Sequence, residues 1–256
     1  LSANVSGGSN VAVGNGALLN NTASNNVALG YQAAQANTSG TGVTAIGYQT
    51  LLASTGNNNT ALGYTAGLSV STGAANTAIG YQTFTANTTG SNNTSLGAYA
   101  LSGNVSGTNN VAIGNGALLL NTASSNTALG YEAGRANTSG TGLVAIGYQA
   151  LTASTGNNNT AVGFQSQLAT NTGIQNTSVG NVSLVSNTTG NSNSAFGHFS
   201  LNANSIGNNN TAYGAYSLQN NTASANTAVG SEAGKANTSG TGLTAIGYQA
   251  LTASTG

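Results

Sequence analysis

A glycine recurs along the whole sequence at intervals of 16 or 17 residues, and this spacing constrains the fold more than any other feature. The fifteen motif glycines are Gly14, Gly30, Gly47, Gly63, Gly80, Gly97, Gly114, Gly130, Gly147, Gly163, Gly180, Gly197, Gly214, Gly230 and Gly247. The composition, rich in Gly, Ser, Asn and Thr, is also found in disordered chains, but disorder has no reason to keep such a register. Repeats of this length predict a solenoid, in which each coil contacts only its neighbours.

A second period of 100 residues lies above the first. The segment 37–42, Asn-Thr-Ser-Gly-Thr-Gly, returns unchanged 100 and 200 residues later. We therefore expect one continuous array over residues 1–256, built from super-repeats of six coils at 1–100, 101–200 and, in part, 201–256. The array has the character of a segment of a longer fibre.

The three positions before each motif glycine have the alternating character of a strand. The residue directly before the glycine is always large and apolar, and we call this position the apolar column. The alanine column, two before the glycine, holds only Ala or Ser, and the threonine column, three before, holds Thr or Val with Ser194 as the exception. Such alternation predicts a β-strand with successive side chains on opposite faces. The apolar column is the predicted core, with Ile46, Leu62, Ile79, Leu96, Ile113, Leu129 and Ile146 as its central members.

Asparagine occupies the position four before the glycine in most coils, and we call it the asparagine column. Stacked asparagine side chains can bond to one another along a solenoid. We therefore predict a structural ladder at Asn59, Asn76, Asn93 and Asn110.

The residues after each glycine predict a second short strand that closes the coil, because a small residue stands third and an apolar one often stands fourth. About 17 residues leave room for two strands and two turns, and not for a helix with a strand. The sequence therefore predicts an all-β parallel solenoid, or β-roll, of about 16–17 residues per coil. Its core would be thin, and the Ala and Gly face suggests a second packing surface, so we expect a homotrimer.

Ionisable residues are almost absent, since charged side chains make up 2% of the chain and the formal net charge is zero. Nucleic-acid binding needs clustered Lys and Arg, so we expect none. No apolar run is long enough to span a membrane, so membrane insertion by this segment is not expected. Without aspartate no Ser-His-Asp triad can form, and we predict no catalytic, metal or cofactor-binding residue and no enzyme activity.

The few ionisable groups have modest expected roles. Glu132 with Arg135, and Glu232 with Lys235, are expected to form weak surface pairs. His198 could meet two copies of itself on an ion if its position faced a threefold axis, but a simple substitution in a variable position is the favoured interpretation. The segment 140–145 matches a dinucleotide fingerprint in form, but a strand and not a helix follows it, so the mechanism for binding a pyrophosphate is missing.

Tyrosine follows the motif glycine in four consecutive coils, and we call this position the tyrosine column: Tyr31, Tyr48, Tyr64 and Tyr81. Stacked aromatic residues could form a surface or glycan contact, because a ring face packs against a sugar while the hydroxyl stays in water. The same ladder could serve only to stabilise the solenoid, and this structural interpretation is favoured.

The motif Asn76-Thr77-Ala78-Ile79-Gly80-Tyr81, with variants at 26–30 and 110–114, resembles the head repeats of trimeric autotransporter adhesins. It is similar as well to repeats of phage tail-fibre and surface-fibre proteins. The resemblance covers essentially the whole chain. It implies a left-handed parallel β-roll, three chains around one axis, and a role in extending or attaching something at a surface.

Two functions follow as hypotheses. The first is a structural fibre or filament segment with an adhesive role, extracellular, on a cell surface or a virion, and without cofactors. Its partners would be further copies of the chain, as a homotrimer or an axially stacked homopolymer, and a cell-surface glycan or other receptor. The alternative is a carbohydrate- or ice-binding solenoid that uses ladders of Thr, Asn and Tyr.

Overall fold

The computed structural model describes residues 3–169 and 172–252, and these contain strands and turns but no helix. The chain forms two compact units, Leu1–Asn126 and Thr127–Gly256. The strands of the first unit are β1 (Val11–Val13), β2 (Val27–Leu29), β3 (Thr44–Ile46), β4 (Thr60–Leu62), β5 (Thr77–Ile79), β6 (Thr94–Leu96) and β7 (Val111–Ile113). Those of the second are β8 (Thr127–Leu129), β9 (Val144–Ile146), β10 (Thr160–Val162), β11 (Thr177–Val179), β12 (Ser194–Phe196), β13 (Thr211–Tyr213), β14 (Thr227–Val229) and β15 (Thr244–Ile246).

Within each unit, successive strands pair in parallel and keep the columns of the sequence in register. Between β5 and β6, for example, Thr77 lies opposite Thr94 and Ile79 opposite Leu96. Each pairing joins residues 16 or 17 apart, as Val27 and Thr44 show in the first unit and Thr211 and Thr227 in the second. The predicted parallel β-solenoid of 16–17 residues per coil is therefore confirmed within each unit.

The prediction that the apolar column forms the core is wrong for the single chain. Its members flank a buried alanine or serine in every strand except β1, and none of them is buried. Exposure is substantial at Leu62, Leu96 and Leu129, which are 46, 43 and 45% exposed. The remaining predicted core residues, Ile46, Ile79, Ile113 and Ile146, are partly exposed. The apolar column therefore lies on the surface of the chain.

The interior is filled instead by the alanine column and by the fourth residue after each motif glycine, which we call the leucine column. Ala61 and Ala78 of the alanine column are buried, as are Leu101, Phe84 and Leu151 of the leucine column. The physical reason is space, because so short a coil encloses a narrow interior that cannot hold large side chains from both walls. Bulk comes from the leucine column, and the strand opposite contributes only small side chains.

The predicted second strand is also wrong, because overlapping tight turns take its place. In the coil after β6, Ala100 N–H donates to Gly97 O at 3.4 Å, Ser102 N–H to Tyr99 O at 3.3 Å and Asn104 N–H to Leu101 O at 3.1 Å. Alternate residues have positive φ, 60° at Tyr99 and 51° at Leu101. Amides and carbonyls between these turns bond to neighbouring coils, as Leu101 N–H does to Ala117 O at 3.0 Å.

The motif glycine is required by the close approach of neighbouring coils. Gly63 has φ +139°, and a Cβ added there would lie 2.3 Å from the carbonyl oxygen of Gly80. An L-residue is strained in that conformation, and the clash involves main chain that cannot move aside. The regular recurrence of glycine follows from this geometry at every coil junction.

Candidate functional site

The outward surface of each parallel sheet is the most distinctive exposed feature of the chain. Strand alternation brings the threonine and apolar columns to this surface, and we call the two columns together the strand face. In β4, for example, Thr60 is partly exposed and Leu62 exposed, while Ala61 between them is buried. The tyrosine column lies beside the apolar column, on the other side of the motif glycine. The strand face combines hydroxyl and aliphatic groups that repeat once per coil.

The tyrosine column forms a continuous ladder in the first unit. Ring centroids are 5.3 Å apart for Tyr31 and Tyr48, 5.0 Å for Tyr48 and Tyr64, and 5.5 Å for Tyr64 and Tyr81. The interplanar angles of these pairs lie between 6° and 15°. Each of the four side chains is 41–47% exposed. Tyr99, which lies outside the column, meets Tyr81 edge-on and not as a further step of the stack.

The ladder in the second unit is shorter. Tyr131 stacks on Tyr148 at 5.2 Å, and Tyr148 stacks on Phe164 at 5.2 Å. The next member of the column is Asn181, which has no ring. The two units therefore present aromatic ladders of four and three rings.

Stacking determines what these rings can offer to a ligand. A sugar that packs on an aromatic ring needs a free face. In both ladders, the faces of the internal rings cover one another, and their exposed parts are edges. A glycan contact of the kind expected from the sequence could therefore use only the end rings.

The asparagine column lies inside the coil, and its side chains form the expected ladder. Asn76 Nδ2 donates to Asn59 Oδ1 at 3.2 Å, and Asn93 Nδ2 donates to Asn76 Oδ1 at 3.2 Å. The backbone N–H of Asn110 donates to Asn93 Oδ1 at 2.9 Å. All four predicted asparagines are buried. A ligand at the surface cannot reach them, so the proposed use of asparagine ladders in carbohydrate or ice binding is wrong for this column.

A second buried asparagine column, seven residues after the motif glycine, was not predicted. Asn87 shows its role: Oδ1 accepts from Gly90 N–H at 3.1 Å and Nδ2 donates to Gly90 O at 3.0 Å. The two columns meet where Asn26 Nδ2 donates to Asn21 Oδ1 at 3.0 Å. The signal was present in the recurring Asn-x-Ser/Thr-Gly letters, which were interpreted only as turn residues.

The ionisable side chains all lie in the second unit. Arg135 Nε is 3.5 Å from Glu132 Oε1, and Lys235 Nζ is 3.2 Å from Glu232 Oε1, so both predicted surface pairs form. Hydrogen bonds from Gln249 and then Lys235 lower the pKa of the Glu232 carboxyl below its ordinary value, with the positive charge of Lys235 adding a smaller effect.

His198 lies among aromatic rings. Its ring centroid is 4.3 Å from that of Phe199 and 5.4 Å from that of Tyr216, both edge-on. Lys235 Nζ lies 5.0 Å from the Tyr216 ring centroid, within the range of a cation–π contact. Among the described residues, no group of three or more His, Cys, Asp or Glu side chains is placed to hold a metal ion.

Pockets and membrane-spanning helices are not found in the described part of the chain. No pocket opens between residues of the described ranges. Across residues 3–169 and 172–252, the structure contains no helix of the length and apolarity needed to cross a bilayer. The surface that remains as a candidate site is the strand face with the adjoining aromatic ladders. Comparison with protein-family models, with curated proteins and with solved structures found no match.

Proposed function

We propose that the chain is a structural segment of an extracellular fibre, on a cell surface or a virion, and that copies associate through the strand face. The observation that carries the proposal is that a large apolar residue recurs on the surface in every coil although the interior does not need it. Exposed apolar patches that extend over several hundred Å² mark interaction surfaces. The resemblance of the motif to adhesin heads and tail fibres supports the same role.

The ladders favour a mechanical role over a chemical one. Each coil bonds to its neighbours through backbone amides at 2.7–2.9 Å, as between Gly47 and Leu29 and between Thr60 and Asn76. The side-chain ladder of the asparagine column adds a second set of bonds within the coil stack. Because few groups titrate, such stiffness should depend little on pH or salt. We assign the protein no catalytic role and no cofactor.

Self-association as a homotrimer gives the strand face an occupant. Burying a Leu, Ile or Val side chain fully contributes about 1.5–3 kcal/mol, so the remaining exposure of each apolar-column residue is worth roughly 1 kcal/mol. Repeated over several coils, this sum can offset the entropy cost of association. Axial stacking of copies into a filament is a second mode of assembly within the same proposal.

The test is the oligomeric state of the full chain and of one surface variant. We expect sedimentation equilibrium to show a trimer, and Leu62→Lys combined with Ile79→Lys to shift the chain toward monomer. A matched control is Asn58→Lys, which adds the same charge at an exposed turn residue. A wild-type chain that remains monomeric at micromolar concentration would refute association through the strand face.

A second candidate function uses the same surface in a monomer. The threonine column exposes hydroxyl groups beside the aliphatic groups of the apolar column, once per coil and in register. Such a regular surface could order water and bind ice, or bind a repetitive polysaccharide. A monomer that adsorbs to ice or to an insoluble glycan, and loses adsorption in Thr60→Lys with Thr77→Lys, would favour this function. The two candidates are exclusive because both need the strand face.

A further inference from the structure

A narrow strip of exposed backbone runs between the apolar and tyrosine columns of the first unit. Its floor consists of four motif glycines, all partly or fully exposed to solvent: Gly30, Gly47, Gly63 and Gly80. We call this strip the glycine groove. No side chain can rise from the floor, because a Cβ added at these glycines would point into the main chain of the next coil.

Both walls of the glycine groove are apolar and repeat in register. One wall is the ladder of Tyr31, Tyr48, Tyr64 and Tyr81, whose rings lie 5.0–5.5 Å apart. The other wall is the part of the apolar column that precedes the same four glycines, namely Leu29, Ile46, Leu62 and Ile79. Pairing between β2 and β3, β3 and β4, and β4 and β5 keeps this second wall continuous.

The dimensions of the groove follow from strand geometry. The two walls stand two residues apart along each strand, which is about 7 Å. Four coils at the spacing of neighbouring strands give a length of about 14 Å. A groove of this shape suits a thin slab better than a compact ligand, because a compact molecule would contact only one or two coils.

The chemistry of the groove selects the class of ligand. The first unit contains no Asp, Glu, Lys, Arg or His, so the walls offer neither a charge nor an ion pair. The tyrosine ring faces are covered by stacking, so a sugar has no free platform along the ladder. What remains is aliphatic surface on one side, ring edges with phenol hydroxyls on the other, and a flat floor of peptide groups.

We propose that the glycine groove binds a flat, elongated, conjugated aromatic molecule that lies parallel to the tyrosine ladder. Its edges would contact the two walls, and one face would lie on the glycine backbone. The stacked rings hold one another in place before binding, so little side-chain entropy is lost on association. This binding does not depend on the proposed fibre role.

The test uses thioflavin T, a flat two-ring dye whose fluorescence rises when its rotation is blocked. Titration of the full chain should give saturable fluorescence, with an induced circular dichroism signal in the dye band. Tyr48→Ala combined with Tyr64→Ala should weaken binding at the four-ring ladder by about tenfold, since each aromatic contact is worth about 0.5–1.5 kcal/mol. The dye bound to the three-ring ladder of the second unit would account for any residual signal.

The matched control removes two tyrosines that lie outside the column, by Tyr99→Ala with Tyr216→Ala, and should leave binding within about twofold of wild type. Leu62→Thr tests the opposite wall without touching the ladder and should also weaken binding, so the proposal stays testable if the tyrosine variant does not fold. Wild-type protein that gives no fluorescence increase, in any association state, would overturn the proposal. Equal dye affinity in the ladder variant and the control would overturn it as well.

Discussion

Replacing Asn76 by alanine tests the role of the asparagine column most directly. The Asn76 side chain makes four hydrogen bonds: Nδ2 donates to Asn59 Oδ1 and to Gly90 O, and Oδ1 accepts from the backbone N–H and the Nδ2 of Asn93. It is almost fully buried, at 2% exposure. Alanine removes all four bonds and leaves a cavity of the size of an amide.

The magnitude follows from which groups keep a partner. Gly90 O still accepts from Asn87 Nδ2 at 3.0 Å, and Asn59 Oδ1 still accepts from the backbone N–H at position 76. The Asn93 backbone N–H loses its printed acceptor inside the coil. An orphaned buried donor costs about 1–3 kcal/mol, and the other lost bonds contribute roughly 1 kcal/mol each. We expect Asn76→Ala to lower the free energy of unfolding by about 3–5 kcal/mol.

The assay is chemical and thermal unfolding followed by circular dichroism. A loss of this size is a large fraction of the 5–15 kcal/mol typical of a domain, and should lower Tm by about 10–20 °C. Asn92→Gly serves as control, because Asn92 is exposed, has φ 58° and makes no side-chain bond that Asn76 makes. If Asn76→Ala cost less than about 1 kcal/mol, the ladder would not stabilise the fold and the reasoning would be refuted.

Three further predictions test the backbone and the one perturbed carboxyl. Gly63→Ala should destabilise the first unit by roughly 2–5 kcal/mol, since it combines backbone strain with a main-chain clash; unchanged unfolding would contradict the close coil contact. Ala75→Gly should raise stability by about 0.5–1 kcal/mol by relieving a φ of 55°, whereas the neighbouring Ala74→Gly should lower it by a similar amount; equal effects at both positions would argue against backbone strain. Because the hydrogen bond from Gln249 lowers the folded-state pKa of Glu232, its stabilisation is complete above the ordinary glutamate pKa and is lost as pH falls through the lowered value. Glu232→Gln should therefore flatten the acid side of the stability profile, and an unchanged profile would exclude this contribution.

Periodic features of the fold were accessible from the letters alone. Parallel pairing in steps of 16 or 17 residues follows from the spacing of the motif glycines, because a strict register needs the same position on every coil. The asparagine ladder could be predicted for the same reason, since a polar residue that recurs beside a strand must find partners in the next coil. The surface ion pair of Glu232 and Lys235 followed from their separation by three residues.

The direction in which each column faces could not be predicted in this way. Strand alternation requires Ala78 and Ile79 to point to opposite sides, but it does not say which side is interior. Preference for burying the larger residue suggested Ile79, and the structure buries Ala78. The deciding fact was the closure of the coil by tight turns with positive φ at residues such as Leu101, which places a bulky side chain inside from the opposite wall.

The sequence by itself determined that the chain is a parallel β-solenoid with a coil of 16–17 residues, because periodicity is a property of the order of residues. Only the tertiary structure decided which surface is free. A narrow interior filled by leucine, alanine and paired asparagine amides has no room for the apolar column, so this column and the stacked tyrosines face outward. The candidate functional surface of the protein is therefore the face that sequence reasoning had assigned to its core.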